Sequence, residues 1–237
     1  MQIFEVIDST QLEAQRQIDA KGIIPEDIIL AYEQTNGLTA HQNKTWNSKK
    51  GDFLASFIYY LPTFDEKTIK HTLFVCGLAI REVLLKQSPQ LNLQLKWVND
   101  VIIDEKKICG VIESFYKNHL ILGVGINLVS HPEKTDHLSA TDFLTETGIT
   151  LKPEEVAVEL NEKIKQQMNI LNQYGFDAIR TKWKQSAYML GGKLKMRDSG
   201  VVLFEDIDDD GNMIVRKEND EKQVILSSDC VECSVKE

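Results

Sequence analysis

The spacing of hydrophobic residues along the chain predicts helices packed on a sheet. Apolar residues recur at helical intervals through residues 69–85, and a second helical run extends from Pro153, a residue favoured in the first turn of a helix, to about residue 172. Residues 28–34 and 53–61 are rich in Ile, Leu, Phe and Tyr, which is typical of strands. The pattern therefore indicates an α/β domain.

Polar residues and glycines mark the ends of two further predicted helices. Thr10 and Glu13 have the spacing of a capping box, so a helix is predicted to begin just after Ser9 and Thr10. Another is predicted over about residues 176–188, where the glycine pair at 191–192 would stop it.

The sheet is predicted to be mixed and largely antiparallel. Residues 93–128 indicate three strands with short connections, including a hairpin over residues 111–124 with a tight turn at Lys117 and Asn118. Neighbouring parallel strands need a helical crossover, and these connections leave no room for one. The segment is therefore not a dinucleotide-binding parallel sheet.

The C-terminal part of the chain follows a different pattern. Short runs of alternating apolar and polar residues continue through residues 193–237, with a turn at residues 209–212. We expect a small β-barrel there, which divides the chain into domains over residues 1–189 and 190–237. The acidic run at residues 205–210 lacks the ligand spacing of a calcium-binding loop, so a solvated turn is expected.

Composition and charge exclude several classes of protein. The chain has 237 residues, of which 27% are charged and 42% hydrophobic, as in ordinary globular proteins. The formal net charge of −9 argues against nucleic acid as the main partner, because phosphate binding needs a basic surface. The chain has no secretory leader at its start and no uninterrupted apolar run of about 18 residues, so we expect a cytoplasmic protein without a membrane partner.

The four cysteines fall into two groups. Cys76 and Cys109 lie in apolar runs and are expected to be buried thiols. Cys230 and Cys233 form a CxxC pair, which occurs in zinc sites and redox pairs. A tetrahedral zinc site needs two more ligands, and the chain has no second CxxC, so two reduced thiols are expected.

Three short segments carry residue types suited to the activation of a carboxylic acid by ATP. They are Lys-Trp-Val-Asn-Asp at residues 96–100, Lys-Lys-Ile-Cys-Gly-Val-Ile-Glu at residues 106–113 and Gly-Val-Gly-Ile-Asn at residues 123–127. An aromatic face suits adenine, while lysines and a Mg²⁺ held by a carboxylate suit a triphosphate. The glycines allow close approach to the backbone.

These segments resemble the KWPND and GIGIN region of biotin protein ligases, and the resemblance extends over nearly the whole chain. Residues 7–10 (IDST) resemble the opening motif of that family, and residues 33–37 (EQTNG) with Trp46 resemble its biotin loop. Residues 206–215 resemble part of its closing barrel. The resemblance implies the biotin/lipoate ligase fold, which is like that of class II synthetases, followed by an SH3-like β-barrel.

The same resemblance implies an activity and partners. The family condenses biotin with ATP and Mg²⁺ to biotinyl-5′-AMP, then transfers biotin to a lysine of a biotin carboxyl carrier protein domain, such as that of acetyl-CoA carboxylase. Because the chain starts at the IDST segment, we expect the short form of the ligase, without an N-terminal DNA-binding domain and without repressor function. Whether the protein forms a homodimer is left open by the sequence.

The resemblance also implies roles for individual residues. Lys107 is the expected catalytic residue, since an ammonium group can neutralise charge that builds on the carboxylate and α-phosphate oxygens. The expected biotin contacts are Ser9, Thr10, Gln11, Gln34, Gly37, Leu38, Thr39, Ala40, Lys107 and Gly123. The expected ATP contacts are Trp46, Lys96, Asn99, Asp100 and Asn127, with Asp100 also holding the metal.

Without the resemblance, the same residues have structural interpretations. Lys107 can be a lysine that keeps a hairpin edge soluble, and Asn99 with Asp100 is common turn chemistry. One of Ser9 and Thr10 is expected to cap the first helix, which is compatible with a ligand contact at the same helix end.

The sequence departs from the family in two places. The family carries GRGRxGR where this chain has Gly-Leu-Thr-Ala-His-Gln-Asn-Lys at residues 37–44, so His41, Lys44 or Lys49 would have to supply positive charge. Val98 replaces the proline of KWPND, which restores a backbone N–H.

Two other functions fit the sequence. A lipoate or octanoate ligase or transferase shares this kind of catalytic fold. A non-catalytic protein that binds biotin or a carrier domain would fit the missing arginines. Whether the carrier domain accepts biotin or a lipoyl group, the simplest docking geometry is pairing of one of its strands with an exposed strand at a sheet edge.

Overall fold

The computed structural model describes residues 1–40, 45–63, 66–133, 138–196, 200–219, 221–226 and 234–235. Its larger sheet contains strands β1 Gln2–Phe4, β2 Glu26–Ala31, β3 Phe53–Tyr60, β4 Leu93–Lys96, β5 Asp100–Ile103, β6 Lys106–Tyr116 and β7 His119–Ile126. Their order is β1-β2-β3-β7-β6-β5-β4. Only β1 and β2 pair in parallel, so the predicted mixed and largely antiparallel sheet is confirmed.

Helices cover both faces of this sheet. They are α1 Thr10–Lys21, α2 Glu66–Gln87, α3 Phe143–Thr147, α4 Pro153–Tyr174 and α5 Phe176–Lys184. Alternate residues of the central strands point to opposite faces. Ile58 and Ile121 pack with Ala14 and Ile18 of α1, and the other faces of β3 and β7 join the main core, which includes α2 and α4. The sequence pattern did not predict β1 or α3.

The first helix begins where it was expected, and one of the two expected residues caps it, but without the predicted capping box. Ser9 is the N-cap, and its hydroxyl accepts a hydrogen bond of 3.2 Å from the backbone N–H of Gln11. Thr10 is already the first helical residue, so the predicted capping box of Thr10 with Glu13 is wrong. The hydroxyl of Thr10 contacts Gln34 instead, which is 24 residues away in the chain.

The segment over residues 93–128 contains four strands rather than the predicted three. The chain reverses direction between Lys96 and Asp100, and the Trp97–Val98 peptide bond in this turn is cis. The indole N–H of Trp97 donates a hydrogen bond of 3.0 Å to the carbonyl of Gly211, 114 residues further along the chain. A contact this distant leaves no signal in local hydrophobic periodicity, which explains the missed turn.

The C-terminal residues form the predicted small SH3-like domain. Its strands are β8 Lys193–Met196, β9 Gly200–Ile207, β10 Met213–Lys217, β11 Lys222–Ile225 and β12 Ser234–Val235, paired antiparallel in the order β11-β10-β9-β8-β12. In the turn between β9 and β10, the carboxylate of Asp208 accepts hydrogen bonds from the backbone N–H groups of Asp210 and Asn212. This acidic run therefore stabilises its own turn.

The small domain shares one hydrophobic core with the larger one. Phe204 and Val215 belong to the same buried cluster as Phe74 and Trp183. Arg180 of α5 adds an ion pair with Asp209, and the two charged groups lie 2.6 Å apart. The predicted domain boundary after residue 189 stays a prediction, because the packing is continuous across it.

The buried cysteines agree with the sequence analysis. Cys76 and Cys109 are free and buried, and burial raises the pKa of both thiols well above its usual value. Cys230 and Cys233 lie outside the described residues. None of the helices in the described part of the chain is long and apolar enough to cross a membrane.

The contact between the two domains gives a stability prediction. Gly211 has φ +82°, and a Cβ at this position would lie 3.0 Å from Cε2 of Phe74. Gly211→Ala therefore combines an unfavourable backbone conformation with crowding against a buried ring. We expect it to lower the free energy of unfolding by about 2–3 kcal/mol, measured by urea denaturation.

Gly148 provides the control for backbone strain alone. Its φ is +73°, and a Cβ there would meet nothing within 4 Å. Gly148→Ala should lower the free energy of unfolding by about 1 kcal/mol. Equal losses for the two variants would contradict the role given to the contact between Gly211 and Phe74.

Candidate active site

A cluster of buried polar side chains lies at the start of α1, between that helix and the sheet. The carbonyl oxygen of the Gln34 side chain accepts hydrogen bonds from the backbone N–H of Thr10 at 2.7 Å and from its hydroxyl at 3.1 Å. The side-chain amide of Gln11 donates to the hydroxyl of Ser114 and to the carbonyl of Ile121. Four of the predicted biotin contacts, Ser9, Thr10, Gln11 and Gln34, are thus brought together here.

The chain before α1 is held by an ion pair at the surface. The carboxylate of Asp8 accepts from the backbone N–H of Ser9 and from both terminal nitrogens of the Arg16 guanidinium group. The hydrogen bond from Arg16 lowers the pKa of Asp8 to about 2. Asp8 therefore remains charged at neutral pH, and its bonds hold the backbone just before α1 in place.

Glycines let neighbouring groups approach this cluster closely. A Cβ at Gly123 would lie 2.8 Å from Oε1 of Gln11, and a Cβ at Gly37 would lie 2.9 Å from Nε2 of Gln34. The backbone N–H of Trp46 also donates to the carbonyl of Gly37 at 3.0 Å. Gly37 thus connects the polar cluster with Trp46.

The indole of Trp46 rests on a pair of glycines in the central sheet. Gly110 of β6 and Gly125 of β7 face each other in register. A Cβ at Gly125 would lie 2.6 Å from the indole, and one at Gly110 would lie 3.0 Å from it. Only glycines allow this contact. The Lys107 ammonium lies 5.7 Å from the centre of the indole ring, a cation–π distance.

Lys107 is also part of a charged group that includes two of the predicted ATP contacts, Lys96 and Asp100. Its ammonium lies 2.6 Å from the Asp100 carboxylate, and the Lys96 ammonium lies 3.9 Å from the same carboxylate. The Asp100 side chain is 13% exposed and that of Lys107 is 31% exposed. Two ammonium groups therefore converge on one half-buried carboxylate, with net positive charge beside Trp46.

The sequence suggested that Lys107 could lie at the edge of a hairpin, but in the structure it does not lie at a sheet edge. Strand β6 lies between β5 and β7. The backbone N–H of Lys107 donates to Ser139, and its carbonyl accepts from Thr141, which forms a short parallel bridge. Residues 139–141 therefore run beside β6 at a point that β7 does not reach, and they hold the backbone of Lys107 in place.

Asn99 and Asn127 use their side-chain amides within the fold. The Asn99 amide donates to the carbonyl of Val111, and the Asn127 amide donates to the carbonyl of Thr141. Asn127 is only 3% exposed. Their expected ATP contacts stay predictions, with positioning of the adjacent turns as the role that the contacts support.

The arginine-free loop is described only at its ends. Leu38 and Ala40 are exposed and Thr39 is half-buried, while His41 and Lys44 lie outside the described residues. Lys49 is exposed, and its backbone N–H donates to the buried carboxylate of Asp52.

Sequence analysis overlooked Asp52, Ser56 and Ser114. Asp52 is fully buried, and its Oδ1 accepts from three consecutive backbone N–H groups, at residues 128–130. It therefore fixes the loop after β7 against the start of β3. A polar residue inside an apolar strand is the sequence signal that identifies Ser56 and Ser114.

The family comparison agrees with this fold. The model of the biotin/lipoate A/B protein ligase family matches residues 3–128, more than half of the chain, and the chain belongs to this family. The model of the biotin protein ligase C terminal domain matches residues 193–231. The resemblance to biotin protein ligases is thereby confirmed.

Individual relatives extend over nearly the whole chain. A biotin–[acetyl-CoA-carboxylase] ligase of Paracoccus denitrificans is 29% identical over 88% of this chain and 91% of its own length. The bifunctional ligase/repressor BirA of Bacillus subtilis is 22% identical over 93% of this chain and 70% of its own length. The structure of the Aquifex aeolicus biotin protein ligase in complex with biotin and ATP has a TM-score of 0.81 at 25% identity, and the match covers 98% of this chain and 96% of that one.

Glu113, the last residue of the second predicted segment, faces away from the site. It shares a face of β6 with Cys109 and Val111, which belong to the core beneath α2. Burial raises the pKa of its carboxyl group to about 7. Glu113 is therefore a pH-sensitive group of the fold.

This pKa gives a testable pH dependence. Because the pKa of Glu113 is raised from 4.5 to about 7 by folding, its contribution to stability is complete below about pH 4.5 and is lost as the pH rises through 7. Glu113→Gln does not titrate, so its free energy of unfolding relative to the wild type should rise by about 3 kcal/mol between pH 4.5 and 8 in urea titrations.

Glu146 provides a control of opposite sign. The hydrogen bond from Lys106 lowers its pKa, so its stabilising contribution is lost as the pH falls. Glu146→Gln should therefore lose stability relative to the wild type as the pH rises toward about 5, and its relative stability should then stay level up to pH 8. A flat profile for Glu113→Gln would refute the buried, protonated state of Glu113.

Proposed function

We propose that this protein is an ATP-dependent biotin protein ligase. It forms biotinyl-5′-AMP from biotin and ATP, then transfers biotin to a lysine of a biotin carboxyl carrier protein domain. The observation that carries the proposal is the position of the Lys107 ammonium beside Trp46, on the same face of the sheet as the polar cluster of Thr10, Gln11 and Gln34. Two comparisons support it: the Paracoccus relative is a biotin–[acetyl-CoA-carboxylase] ligase, and the Aquifex structure contains biotin and ATP.

The two clusters suit the two ends of biotin. Gly123 and Gly125 point to the same face of β7 and lie about 7 Å apart, since strands rise about 3.4 Å per residue. The ureido ring, with hydrogen-bond donors and an acceptor, would bind the polar cluster near Gly123. The aliphatic tail would then run over the strand and bring its carboxylate to Lys107.

The nucleotide would bind on the other side of Lys107. The indole of Trp46 offers a flat surface for adenine, and Lys96 with Lys107 offers cationic groups for the phosphates. Asp100 is the acidic group in position for Mg²⁺. The described residues contain no group of three His, Cys, Asp or Glu side chains suited to a metal, so Asp100 would hold Mg²⁺ together with phosphate oxygens and water.

In the first step, a carboxylate oxygen of biotin attacks the α-phosphorus of ATP, and the bond from that phosphorus to the pyrophosphate oxygen breaks. Lys107 stabilises negative charge on the carboxylate and α-phosphate oxygens. Mg²⁺, when bound, offsets charge on the phosphates. In the second step, a neutral lysine amine of the carrier attacks the acyl carbon, AMP leaves, and the amine loses a proton to solvent. Positioning and electrostatics are sufficient for both steps.

The carrier would dock on the second half of β6. Strand β5 pairs with β6 only as far as Gly110, so no described strand pairs with that side of residues 112–116. The outer side of β4 is covered, because Leu95 exchanges backbone hydrogen bonds with Ser186 and Tyr188. A strand of the carrier could add to the open side of β6 by backbone pairing.

Replacement of Lys107 tests the chemistry. Lys107→Ala removes the ammonium that faces the developing charge, and we expect biotin-dependent pyrophosphate release to fall about 10²–10³-fold. Lys106→Ala is the matched control, because the Lys106 ammonium lies 2.6 Å from Glu146 and away from Asp100. That variant should stay within about threefold of the wild type.

The assay also separates the alternatives. Release that depends on lipoate or octanoate and not on biotin would replace the proposed substrate. No release with any of the three acids would favour a binding protein. Equal activity of Lys107→Ala and the wild type would remove Lys107 from the mechanism.

A second variant tests carrier docking. Phe115, at the open part of β6, is 38% exposed, as is Ile149 beyond α3. Phe115→Glu should slow transfer of biotin to a purified carrier domain about tenfold at low carrier concentration, with pyrophosphate release unchanged in the absence of carrier. Ile149→Glu should leave both steps unchanged. Normal transfer by Phe115→Glu would place the carrier elsewhere.

A further inference from the structure

We propose that Ser56, a residue of β3 that contacts no solvent, is a positioning residue that sets the hydrogen-bonding pattern of the biotin site. It would act through Thr10 and Gln11 rather than by contact with the ligand. The inference rests on the proposed function, since it concerns how this site recognises a cyclic urea rather than an apolar head group.

Ser56 lies at the centre of the polar cluster. Its side chain is fully buried, and in the sheet it is the register partner of Gly123. Its hydroxyl oxygen lies 2.9 Å from the hydroxyl oxygen of Thr10 and 2.8 Å from Oε1 of Gln11. One hydroxyl thus joins two residues that are expected to contact biotin.

The hydrogen bonds of Gln11 fix the direction of this network. The Gln11 amide nitrogen donates to Ser114 at 3.0 Å and to the carbonyl of Ile121 at 3.1 Å, so both of its protons are used. Its carbonyl oxygen must then face Ser56 as an acceptor. The Thr10 hydroxyl donates its proton to Gln34, so the one proton of Ser56 is shared between Oε1 of Gln11 and the hydroxyl oxygen of Thr10.

The orientation of Gln34 follows from the same network. Its carbonyl oxygen accepts from the backbone N–H of Thr10, so its amide nitrogen faces Gly37, and no described residue accepts its protons, which leaves them for a ligand. The site therefore presents an amide donor from Gln34 beside hydroxyl oxygens from Thr10 and Ser9. A cyclic urea, which has one carbonyl and two N–H groups, can satisfy such a set, whereas a dithiolane ring or an alkyl chain cannot.

Loss of the Ser56 hydroxyl would break this arrangement at one point. Gln11 Oε1 would lose its donor in a site closed to water, and Thr10 would lose its bridge to Gln11. Both side chains could then adopt other orientations. The binding of biotin should weaken, while the ATP site at Trp46, Lys96 and Lys107 shares no hydrogen bond with Ser56.

The test compares Ser56→Ala with Thr72→Ala in the full-length protein. Thr72 is also fully buried, but its hydroxyl donates to Ile69 within α2. For Ser56→Ala we expect the Kd for biotin, measured by calorimetry without ATP, to rise at least about tenfold. The KM for ATP and kcat at saturating biotin should stay within about twofold. Thr72→Ala should match the wild type in all three quantities.

Each outcome decides a different claim. If the wild type binds biotin and Ser56→Ala binds it with the same Kd, the proposed role of Ser56 is overturned. Equal losses in Ser56→Ala and Thr72→Ala would also overturn it, since they would reflect general destabilisation. Absence of biotin binding and of turnover by the wild type would instead overturn the proposed function.

Ser114→Ala keeps the inference testable if Ser56→Ala does not fold. The hydroxyl of Ser114 holds the opposite end of the Gln11 amide and is only partly buried. We expect its loss to raise the Kd for biotin about threefold, again with an unchanged KM for ATP. An unchanged Kd for biotin in this variant would contradict a fixed Gln11 orientation.

Discussion

The close approach of Trp46 to the paired glycines Gly110 and Gly125 is the constraint on which the candidate site depends. A methyl group at either glycine would meet the indole. With the indole seated on the strands, the backbone of Trp46 bonds to Gly37, and the Lys107 ammonium lies over the ring. One aromatic contact therefore links the loop before it, the central sheet and the expected catalytic lysine. Glycines in such strands serve packing rather than flexibility.

The charged part of the site depends on the small C-terminal domain. The turn before Asp100 carries Trp97, whose indole N–H reaches Gly211 in the β9–β10 turn. The position of the Asp100 carboxylate beside Lys107 therefore depends on the docking of the small domain. None of the described residues of that domain belongs to the polar cluster. Because the hydrophobic core is continuous between the two domains, the coupling rests on packing as well as on one hydrogen bond.

Local signals predicted much of this fold, and distant contacts account for what they missed. The turn at Lys117 and Asn118 was predicted as a tight turn between two strands of a hairpin, and both residues adopt the positive φ that such a turn uses. The turn at Trp97 was missed although Asn99 and Asp100 are common in turns, because the contact that holds it reaches Gly211, far along the chain. Ser56 was missed because its importance lies in partners brought beside β3 by α1. The candidate site residues were predicted through their resemblance to a family, and their hydrogen-bonding directions required the three-dimensional structure.

The proposed function requires the polar cluster at α1 and the charged group around Lys107 to act together in forming an acyl-adenylate. The most direct measurement is an acid-quenched single turnover without carrier, in which excess wild-type protein is mixed with limiting radiolabelled ATP, biotin and Mg²⁺, and the products are separated by chromatography. We expect the label to appear as biotinyl-5′-AMP that stays bound to the protein, and we expect no corresponding adenylate from lipoate or octanoate. Recovery of unchanged ATP with biotin, or of an adenylate only with lipoate or octanoate, would contradict the proposed function.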